Sequence, residues 1–424
     1  MLTQILLEDL EETLDIVNQN VEEETRVVKE IIKNIRLNGD LALKAYTKKF
    51  DHVSIQDFRV SDKEINDAYN RCSKELIDDL KTAYQNITLF HEAQISEGYK
   101  LSVSQDSYVG QKVVPIQEVG LYVPGGTAAY PSTVLMNAAP AKIAGVKRIV
   151  MISPPDKKGN IKDIILAAAK VAGIDEVYRC GGAQGVAALA YGTESIQPVN
   201  KIVGPGNIFV ALAKKEVFGK VGIDMIAGPS EILVYAEAST NPEFVAADLL
   251  SQAEHDIRAR SILVSTSQSL IDQVNKVLRQ QTDKLERKAF IEQALKTGGM
   301  AILVDDDDEA IEVINQVAPE HLELLTDNAE ALSNEVINAG AIFIGPYSPE
   351  PLGDYIAGPN HTLPTSGTAT FSQALGVDDF VKKMSLIKYS KENLFDYKDS
   401  IMRLADIEGL TAHKNAIKVR YDEN

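Results

Sequence analysis

The feature that most constrains the fold is a repeated order of apolar run, turn and helical pattern over residues 119–234. Arg148–Ser153 and Lys201–Val203 are short apolar runs typical of buried strands, and each is followed by a turn and then by a helical pattern. The units recur at a spacing of roughly 20 to 30 residues, which suits a strand, a crossover helix and a second strand. The repetition therefore predicts parallel β-strands connected by helices.

A second series of the same kind follows along the chain. Its apolar runs, with helical patterns between them, are Ile232–Tyr235, Ile262–Val264, Ala301–Val304, Leu322–Leu325 and Ala341–Ile344. A chain of 424 residues is also too long for one ordinary hydrophobic core. We therefore predict an α/β protein with two Rossmann-like parallel domains that lack the usual glycine fingerprint, plus small helical N- and C-terminal segments.

The domain boundaries are predicted from the changes in pattern. They are an N-terminal helical arm (1–20), a first α/β domain (21–118 with 235–376), a second α/β domain (119–234) and a C-terminal tail domain (377–424) with short helical patterns.

Three stretches outside the apolar runs carry more local predictions. Residues 1–60 are predicted to be helical, and one long helix is predicted from a capping box at Ser61 and Glu64 to about Ile87. Residues 345–376 are rich in Gly, Pro, Ser and Thr and are predicted to form a long loop. A loop of that length in a compact protein is usually functional.

The charge balance excludes two classes of partner. The formal net charge is −18 at pH 7, whereas a nucleic-acid surface or docking on anionic lipid requires basic patches. Cys72 and Cys180 form neither a disulfide framework nor a metal-binding pair, so we expect a reducing, cytoplasmic setting. Residues 1–17 are too acidic for a signal peptide, and the sequence has no run of about 18 apolar residues to span a membrane.

Asp248–Asp256 is a polar stretch at the end of a helical pattern. Gln252 and His255 are three residues apart, so on a helix they lie on one face, with Glu254 beside them. An imidazole and oxygen donors can share a metal site. A polar helix C-terminus, where a protonated His suits the helix dipole, explains the same residues. Taken alone, the spacing favours the polar helix C-terminus over a metal site, because such polar clusters are often only structural.

Two further segments carry candidate catalytic groups. Glu320 and His321 lie at a helix-to-strand turn and could form an acid–base pair, although a turn-capping Glu beside a half-buried His is an equal alternative. In the predicted long loop, Asp354 is either an oxygen ligand or an Asx-turn acceptor, and His361 follows it. His413 is isolated near the C-terminus, where a lone His is usually solvated.

Three glycine turns follow predicted strands. They are Pro124–Gly126, Cys180–Gln184 and Gly204–Asn207, and the last two open helices, as phosphate-binding turns do. None matches the dinucleotide fingerprint G-x-G-x-x-G, and there is no Walker A sequence. By motif alone, a tight turn between strand and helix is the stronger interpretation.

Several longer motifs occur together in a fixed order. They are LYVPGG (121–126), GAQ (182–184), VGPGN (203–207), AGPSE (227–231), SQAEH (251–255), PEH (319–321), GD (353–354), GPNH (358–361) and GLTAH (409–413). From about residue 20 to the C-terminus the chain resembles the histidinol dehydrogenase family. The resemblance implies a zinc-dependent oxidation of L-histidinol to L-histidine through L-histidinal with two NAD⁺, the last two steps of histidine biosynthesis.

The resemblance also implies a role for particular residues. It implies the catalytic residues Glu320 and His321, and one zinc ion per subunit held by Gln252, His255, Asp354 and His413. It implies substrate contacts at Ser230, Gln252, His255, His321, Asp354, His361, Glu408 and His413. It implies NAD contacts at Tyr122, Gln184 and Asn207. It implies a homodimer with shared active sites, in which Glu408 and His413 act in trans.

Two functions of other classes compete with this one. A zinc hydrolase could use the same His and carboxylate residues with a metal-activated water, and a non-catalytic metal- or histidine-binding protein would bind without turnover. The sequence leaves open whether the metal activates or only orients the substrate, which metal is used, and whether the dinucleotide is NAD or NADP.

Overall fold

The structure is a computed structural model that describes residues 1–16, 21–125 and 129–421. It divides into two compact units, Met1–Gln94 with Ile116–Phe380, and Ile95–Pro115 with Val381–Asn424. Residue Gly126 of the first predicted glycine turn, and residues 17–20 of the predicted N-terminal arm, lie outside the described residues.

The strands of the described chain are, in order, β1 (Thr3–Ile5), β2 (Tyr99–Ser104), β3 (Ser107–Pro115), β4 (Glu118–Tyr122), β5 (Arg148–Ser153), β6 (Glu176–Arg179), β7 (Lys201–Val203), β8 (Gly222–Ile223), β9 (Glu231–Ala236), β10 (Arg260–Ser265), β11 (Gly299–Leu303), β12 (His321–Leu325), β13 (Ala341–Ile344) and β14 (Val381–Lys388).

The α-helices are α1 (Leu10–Ile16), α2 (Glu22–Phe50), α3 (Asp62–Arg71), α4 (Lys74–Glu92), α5 (Pro131–Ala144), α6 (Asp163–Val171), α7 (Gly182–Tyr191), α8 (Ile208–Val217), α9 (Pro242–Ala253), α10 (Gln268–Thr282), α11 (Lys288–Gly298), α12 (Asp307–Val317), α13 (Ala329–Leu332), α14 (Glu350–Tyr355), α15 (Lys391–Ile407) and α16 (Thr411–Lys418). Short 3₁₀ turns occupy Leu7–Asp9, Thr368–Thr370 and Val377–Phe380.

The larger sheet of the first unit has six strands in the order β1-β11-β10-β9-β12-β13, and every pairing is parallel. Its central strands, such as β9 and β10, are buried on both faces, and their sequences are therefore mostly apolar without a polar alternation. On β9, Ile232 and Val234 pack in one apolar core with α9 and α10, whereas Leu233 and Tyr235 pack in another with α12. Helices on both sides of the sheet therefore exclude water from it.

The smaller sheet of the first unit has five parallel strands in the order β6-β5-β4-β7-β8. Ile149 and Met151 of β5 face a core built with α5 and α6, and Val150 and Ile152 face a core built with α2 and α7. Two parallel, helix-covered sheets confirm the predicted α/β fold class. The predicted domain boundaries remain a prediction.

The second unit contains an antiparallel sheet in the order β14-β3-β2, with α15 and α16. The short helical patterns predicted for residues 377–424 are wrong at β14, where eight residues pair with β3. Its exposed side chains include Lys382 and Lys383, so the apolar signal of a buried strand is absent.

Three other local predictions differ from the structure. Thr3–Ile5 is an edge strand paired with β11 rather than part of a helix. The predicted long helix after Ser61 is two helices, because Cys72 is extended and the Ser73 side chain caps α4 by accepting from the Leu76 N–H. The predicted loop 345–376 contains the short helix α14. No helix among the described residues is long and apolar enough to cross a membrane.

Candidate active site

A cavity of about 280 Å³ lies within the first unit, where the carboxyl ends of β4 and β7 face the amino ends of β9 and β12. Ligand sites of open parallel sheets lie outside the carboxyl ends of the strands, as this cavity does for β4 and β7. The cavity brings together eight of the predicted site residues: Asn207, Ser230, Gln252, His255, Glu320, His321, Asp354 and His361.

Gln252 and His255 enter the cavity from the end of α9. Gln252 is in the last turn of the helix and is 1% exposed. His255 lies beyond the helix, and its N–H donates to the Gln252 carbonyl at 3.1 Å. The prediction that both residues share one helix face is therefore wrong in detail, although the turn still delivers both side chains to the same cavity.

The imidazole of His321, which lines the cavity, has one nitrogen hydrogen-bonded to the protein and one without a partner. Nδ1 lies 2.9 Å from the Glu231 carbonyl and 3.1 Å from Gln252 Nε2. The shorter contact requires a hydrogen on Nδ1, so Nε2 is the unprotonated nitrogen. Nε2 is buried and has no hydrogen-bond partner in the described chain. An acceptor in this state can take a proton from a group placed in the cavity.

Burial lowers the pKa of His321 to about 4, against the raising effects of Asp354 and of the Glu231 carbonyl. The ring is therefore neutral near pH 7, as a general base must be. The free nitrogen of His321 is thus available over the whole neutral range.

Glu320 lies beside this ring. Its Oε2 accepts from the Glu231 N–H at 2.8 Å and is 3.6 Å from His321 Nδ1. Burial, followed by the charges of Glu231 and Asp354, raises the pKa of Glu320 well above its usual value. A carboxyl group with a raised pKa next to an imidazole with a lowered pKa is the arrangement expected of an acid–base pair.

Asp354 and His361 form a second pair in the cavity, with Oδ1 and Nδ1 3.4 Å apart. Burial acts to raise the pKa of Asp354, but the hydrogen bond and charge of His361, with His321 and His255, lower it to about 2. Asp354 is therefore an ionised carboxylate that can bind a cation, and histidine side chains line the same cavity.

Two further buried carboxyl groups, those of Glu350 and Glu323, lie near Asp354. Glu350 is 2% exposed, and burial, followed by Asp354, raises its pKa to about 8. The backbone N–H of Glu350 donates to Glu323 Oε1 at 2.7 Å. Burial, followed by the charge and hydrogen bond of Asp248, raises the pKa of Glu323 to about 9.

In the metal-free protein, the free energy of unfolding is expected to fall less steeply with rising pH in Glu323→Gln than in wild type. Folded Glu323 keeps its proton until about pH 9, whereas an unfolded Glu releases it near 4.5. The folded state therefore binds the extra proton, and stability falls as pH rises through this range, by up to about 1.4 kcal/mol per pH unit. Urea unfolding near neutral pH and at mildly alkaline pH measures the slope. An unchanged slope in the variant would show that Glu323 does not hold the proton.

The glycine turn after β7 is held by a buried ion pair. Gly204 has φ +111°, and a Cβ there would lie 2.2 Å from the Tyr122 carbonyl oxygen, so only glycine fits. The Gly204 N–H donates to Asp224 at 2.7 Å, Lys214 Nζ donates to the Gly204 carbonyl at 2.8 Å, and Lys214 pairs with Asp224. Asn207 then caps α8 by accepting from Phe209 and Val210. The turn presents bare backbone and a helix N-terminus to the cavity.

The other two predicted NAD contacts lie elsewhere. Tyr122 and Gln184 are 3% and 2% exposed and do not line the cavity. The Tyr122 hydroxyl accepts from the Gly182 N–H at 3.2 Å, which ties it to the second glycine turn.

Glu408 and His413 belong to the second unit. Glu408 follows α15 and His413 lies in α16, and both are exposed. Across the described residues, the group of His and acidic side chains that could hold a metal is His255, Glu350 and Asp354, without His413.

The residues that the sequence analysis missed lack a strong local signal. Glu350 lies in a stretch without periodicity, and its one clue is the four-residue spacing to Asp354 after Pro349, which suits a helix start. Lys214 and Asp224 are ten residues apart, and nothing in the sequence pairs them. These contacts depend on how the chain folds back on itself.

Comparisons with known proteins agree on one family. A family model described as histidinol dehydrogenase matches residues 15–421. A histidinol dehydrogenase of Clostridium acetobutylicum is 54% identical over 396 residues, which is 93% of this chain and 92% of the relative. One of Bacillus cereus (strain ATCC 14579) is 50% identical over 427 residues, 99% of each chain. The crystal structure of histidinol dehydrogenase from Elizabethkingia anophelis superposes with a TM-score of 0.93 at 38% identity, covering 99% of this chain and 98% of that one.

Proposed function

The chain belongs to the histidinol dehydrogenase family, and from that premise we propose that it oxidises L-histidinol to L-histidine through L-histidinal, the last two steps of histidine biosynthesis. We propose that the reaction uses two NAD⁺ and one zinc ion per subunit. The observation that carries the proposal is the unpartnered Nε2 of His321, whose ring is neutral and buried. The same cavity is lined by Glu320, whose pKa is raised, and by the Asp354–His361 pair.

The proposed metal ligands are Gln252, His255, Asp354 and His413. The donor chemistry supports zinc, because an imidazole nitrogen and carboxylate oxygens are its common protein ligands. His255, Asp354 and Glu350 offer such atoms within 4.8 Å of one another. Zinc, when bound, would hold the imidazole and amine nitrogens of histidinol and orient its carbinol group.

The proposed NAD contacts are Tyr122, Gln184 and Asn207. The bare backbone of Gly204 and the helix N-terminus at Asn207 support a dinucleotide at this side of the cavity. NAD⁺, when bound, would supply the acceptor for the hydride that leaves the carbinol carbon. For Tyr122 and Gln184 the support is the family alone, since both side chains are buried.

His321 is proposed to act as the base in both oxidations. In the first, Nε2 takes the hydroxyl proton of histidinol as the hydride leaves, which yields histidinal. In the second, the same nitrogen takes a hydroxyl proton from the hydrated aldehyde. The Nδ1 hydrogen bond to the Glu231 carbonyl holds the ring in the required tautomer throughout.

Glu320 is proposed to activate water between the two oxidations. The water oxygen bonds to the aldehyde carbon and one water proton passes to the Glu320 carboxylate. The aldehyde oxygen takes the proton that His321 Nε2 holds after the first oxidation, so the gem-diol forms and His321 is neutral again for the second. Glu320 must be ionised for this step, and a bound divalent cation favours the ionised form. The remaining proposed substrate contacts are Ser230, Gln252, His255, Asp354, His361, Glu408 and His413, among which Asp354 and Glu408 would balance the positive amine.

The direct test is an assay of the purified chain with histidinol and NAD⁺. We expect two NADH for each histidinol consumed, and loss of turnover when a chelator removes the metal. A zinc hydrolase would form no NADH, and a non-catalytic binding protein would bind histidinol without turnover. Either result would refute the proposal.

We propose a homodimer in which Glu408 and His413 act in the active site of the partner copy. Mixing Glu320→Gln and His413→Asn subunits, each of which should form little histidine alone, should then restore up to about a quarter of the wild-type rate of histidine formation, because random pairing creates one intact site in half of the dimers. His413→Asn alone should lose bound zinc. Absence of recovery after demonstrated subunit exchange would mean that each site is self-contained.

Two broader predictions remain part of the proposal. The metal and base residues are assigned to the predicted first α/β domain and the NAD side to the second. The cytoplasmic setting rests on the two cysteines, which are free in the structure.

A further inference from the structure

We propose that Glu350 is a further residue of the metal centre and supplies a carboxylate oxygen beside His255 and Asp354. This inference rests on the proposed function, since it adds a residue to the same site. None of the sequence motifs that identify the family includes Glu350.

The geometry of α14 places Glu350 with Asp354. Glu350 is the first residue of this helix, and Asp354 follows four residues later, so both side chains lie on one face. One ligand atom each from His255, Glu350 and Asp354 lies within 4.8 Å of the others. Three atoms that lie within 4.8 Å of one another are at most about 2.8 Å from a common centre. An inward shift of up to about 0.8 Å per atom therefore brings them to the roughly 2.0–2.2 Å of zinc coordination.

The groups around Glu350 are of a kind that can bind a cation. The carboxyl groups of Asp354 and Asp248 face it, and its backbone N–H contacts Glu323. Carboxylate oxygens are common zinc ligands. The imidazole of His255, on the turn after α9, gives the group a nitrogen donor that a purely acidic cluster lacks.

A second observation in the same cavity also indicates a ligand. His321 is 4% exposed and lines the cavity, and its Nε2 has no hydrogen-bond partner among the described residues. A buried polar atom without a partner is expected where a ligand completes the site. The metal group and this open nitrogen lie in one cavity, which matches a bound ion that presents a substrate to His321.

Glu350 is held in place by its own contacts. Its Oε2 lies 3.2 Å from Ser251 Oγ, next to Gln252, and its backbone N–H is fixed by Glu323. Such supporting contacts are typical of built metal sites, where they orient the ligating group.

The test is the affinity of the full-length protein for zinc, measured by competition with a chromogenic chelator. Glu350→Gln keeps the size of the side chain and its contact with Ser251 but replaces the carboxyl group with an amide that cannot ionise. We expect its zinc dissociation constant to rise at least about 10-fold. Asp248→Asn is the matched control, because it removes a charge from the same acidic run without removing an atom of the metal group. We expect its zinc affinity to stay within about twofold of wild type.

Thermal unfolding of the metal-free proteins checks that both variants fold. If Glu350→Gln does not fold, Glu350→Asp is measured instead, since it keeps the charge but withdraws the oxygens from the group, and the same loss of affinity is expected. Equal zinc affinity in wild type and the folded Glu350 variant would overturn the inference, as would an equal loss in Asp248→Asn. A wild-type protein that binds no zinc would instead refute the proposed function.

Discussion

His321→Asn is expected to lower kcat for histidinol oxidation by about 100- to 10,000-fold, the usual contribution of a general base. The Asn amide can still donate to the Glu231 carbonyl as Nδ1 does, so the local fold is retained. What the variant loses is the unprotonated, unpartnered Nε2 of a residue that lines the cavity. The prediction is therefore a fall in kcat with little change in zinc content.

Steady-state NADH formation, with zinc measured on the same samples, checks this expectation. His52→Asn is a suitable control, because His52 is exposed and has a positive φ of 57° that Asn tolerates. Its kcat should equal that of wild type. A kcat for His321→Asn within about tenfold of wild type would remove His321 from the role of base.

Glu320→Gln is expected to stop the second oxidation more severely than the first. Hydration of histidinal needs a carboxylate to take the water proton, so the rate with added histidinal should fall about 100- to 10,000-fold. The amide oxygen of Gln can still accept from the Glu231 N–H, which preserves the turn. The first oxidation depends on His321 and should be affected less.

The two half-reactions can be measured separately. Single-turnover NADH formation from histidinol reports the first, and steady-state oxidation of supplied histidinal reports the second. Glu312→Gln, on the exposed face of α12, serves as a control for loss of one carboxylate. Oxidation of histidinal by Glu320→Gln at the wild-type rate would show that another group activates the water.

The two parallel sheets could be predicted from the sequence because their central strands are buried on both faces. Strands such as β5 and β9 are buried and mostly apolar, and the structure places them where the pattern predicts. The capping box at Ser61 and Glu64 is likewise present, since its hydrogen bonds join residues only three apart.

The failures arise where the structure depends on distant contacts. The edge strand β1 is three residues long and exists only because it pairs with β11, almost three hundred residues away. In β14 the exposed lysines hide the strand pattern, and pairing with β3 decides its structure. Local pattern carries no information about either pairing.

The candidate site illustrates the same limit. The spacing of Gln252 and His255 suggested a shared helix face, but the turn after α9 is what directs His255 into the cavity. The contact between His321 and Glu231 joins residues 90 apart and fixes the tautomer that makes the ring a base. Family motifs supplied the candidate residues, whereas the burial and hydrogen bonds behind their pKa shifts required the fold.

The most direct measurement is anomalous X-ray diffraction at the zinc absorption edge from crystals grown with zinc and histidinol. We predict one zinc peak per subunit, bonded to the imidazole of His255 and the carboxylate of Asp354, with the histidinol carbinol group next to His321 Nε2. A fully loaded crystal with zinc elsewhere, or with the carbinol group turned away from His321, would contradict the proposed active site.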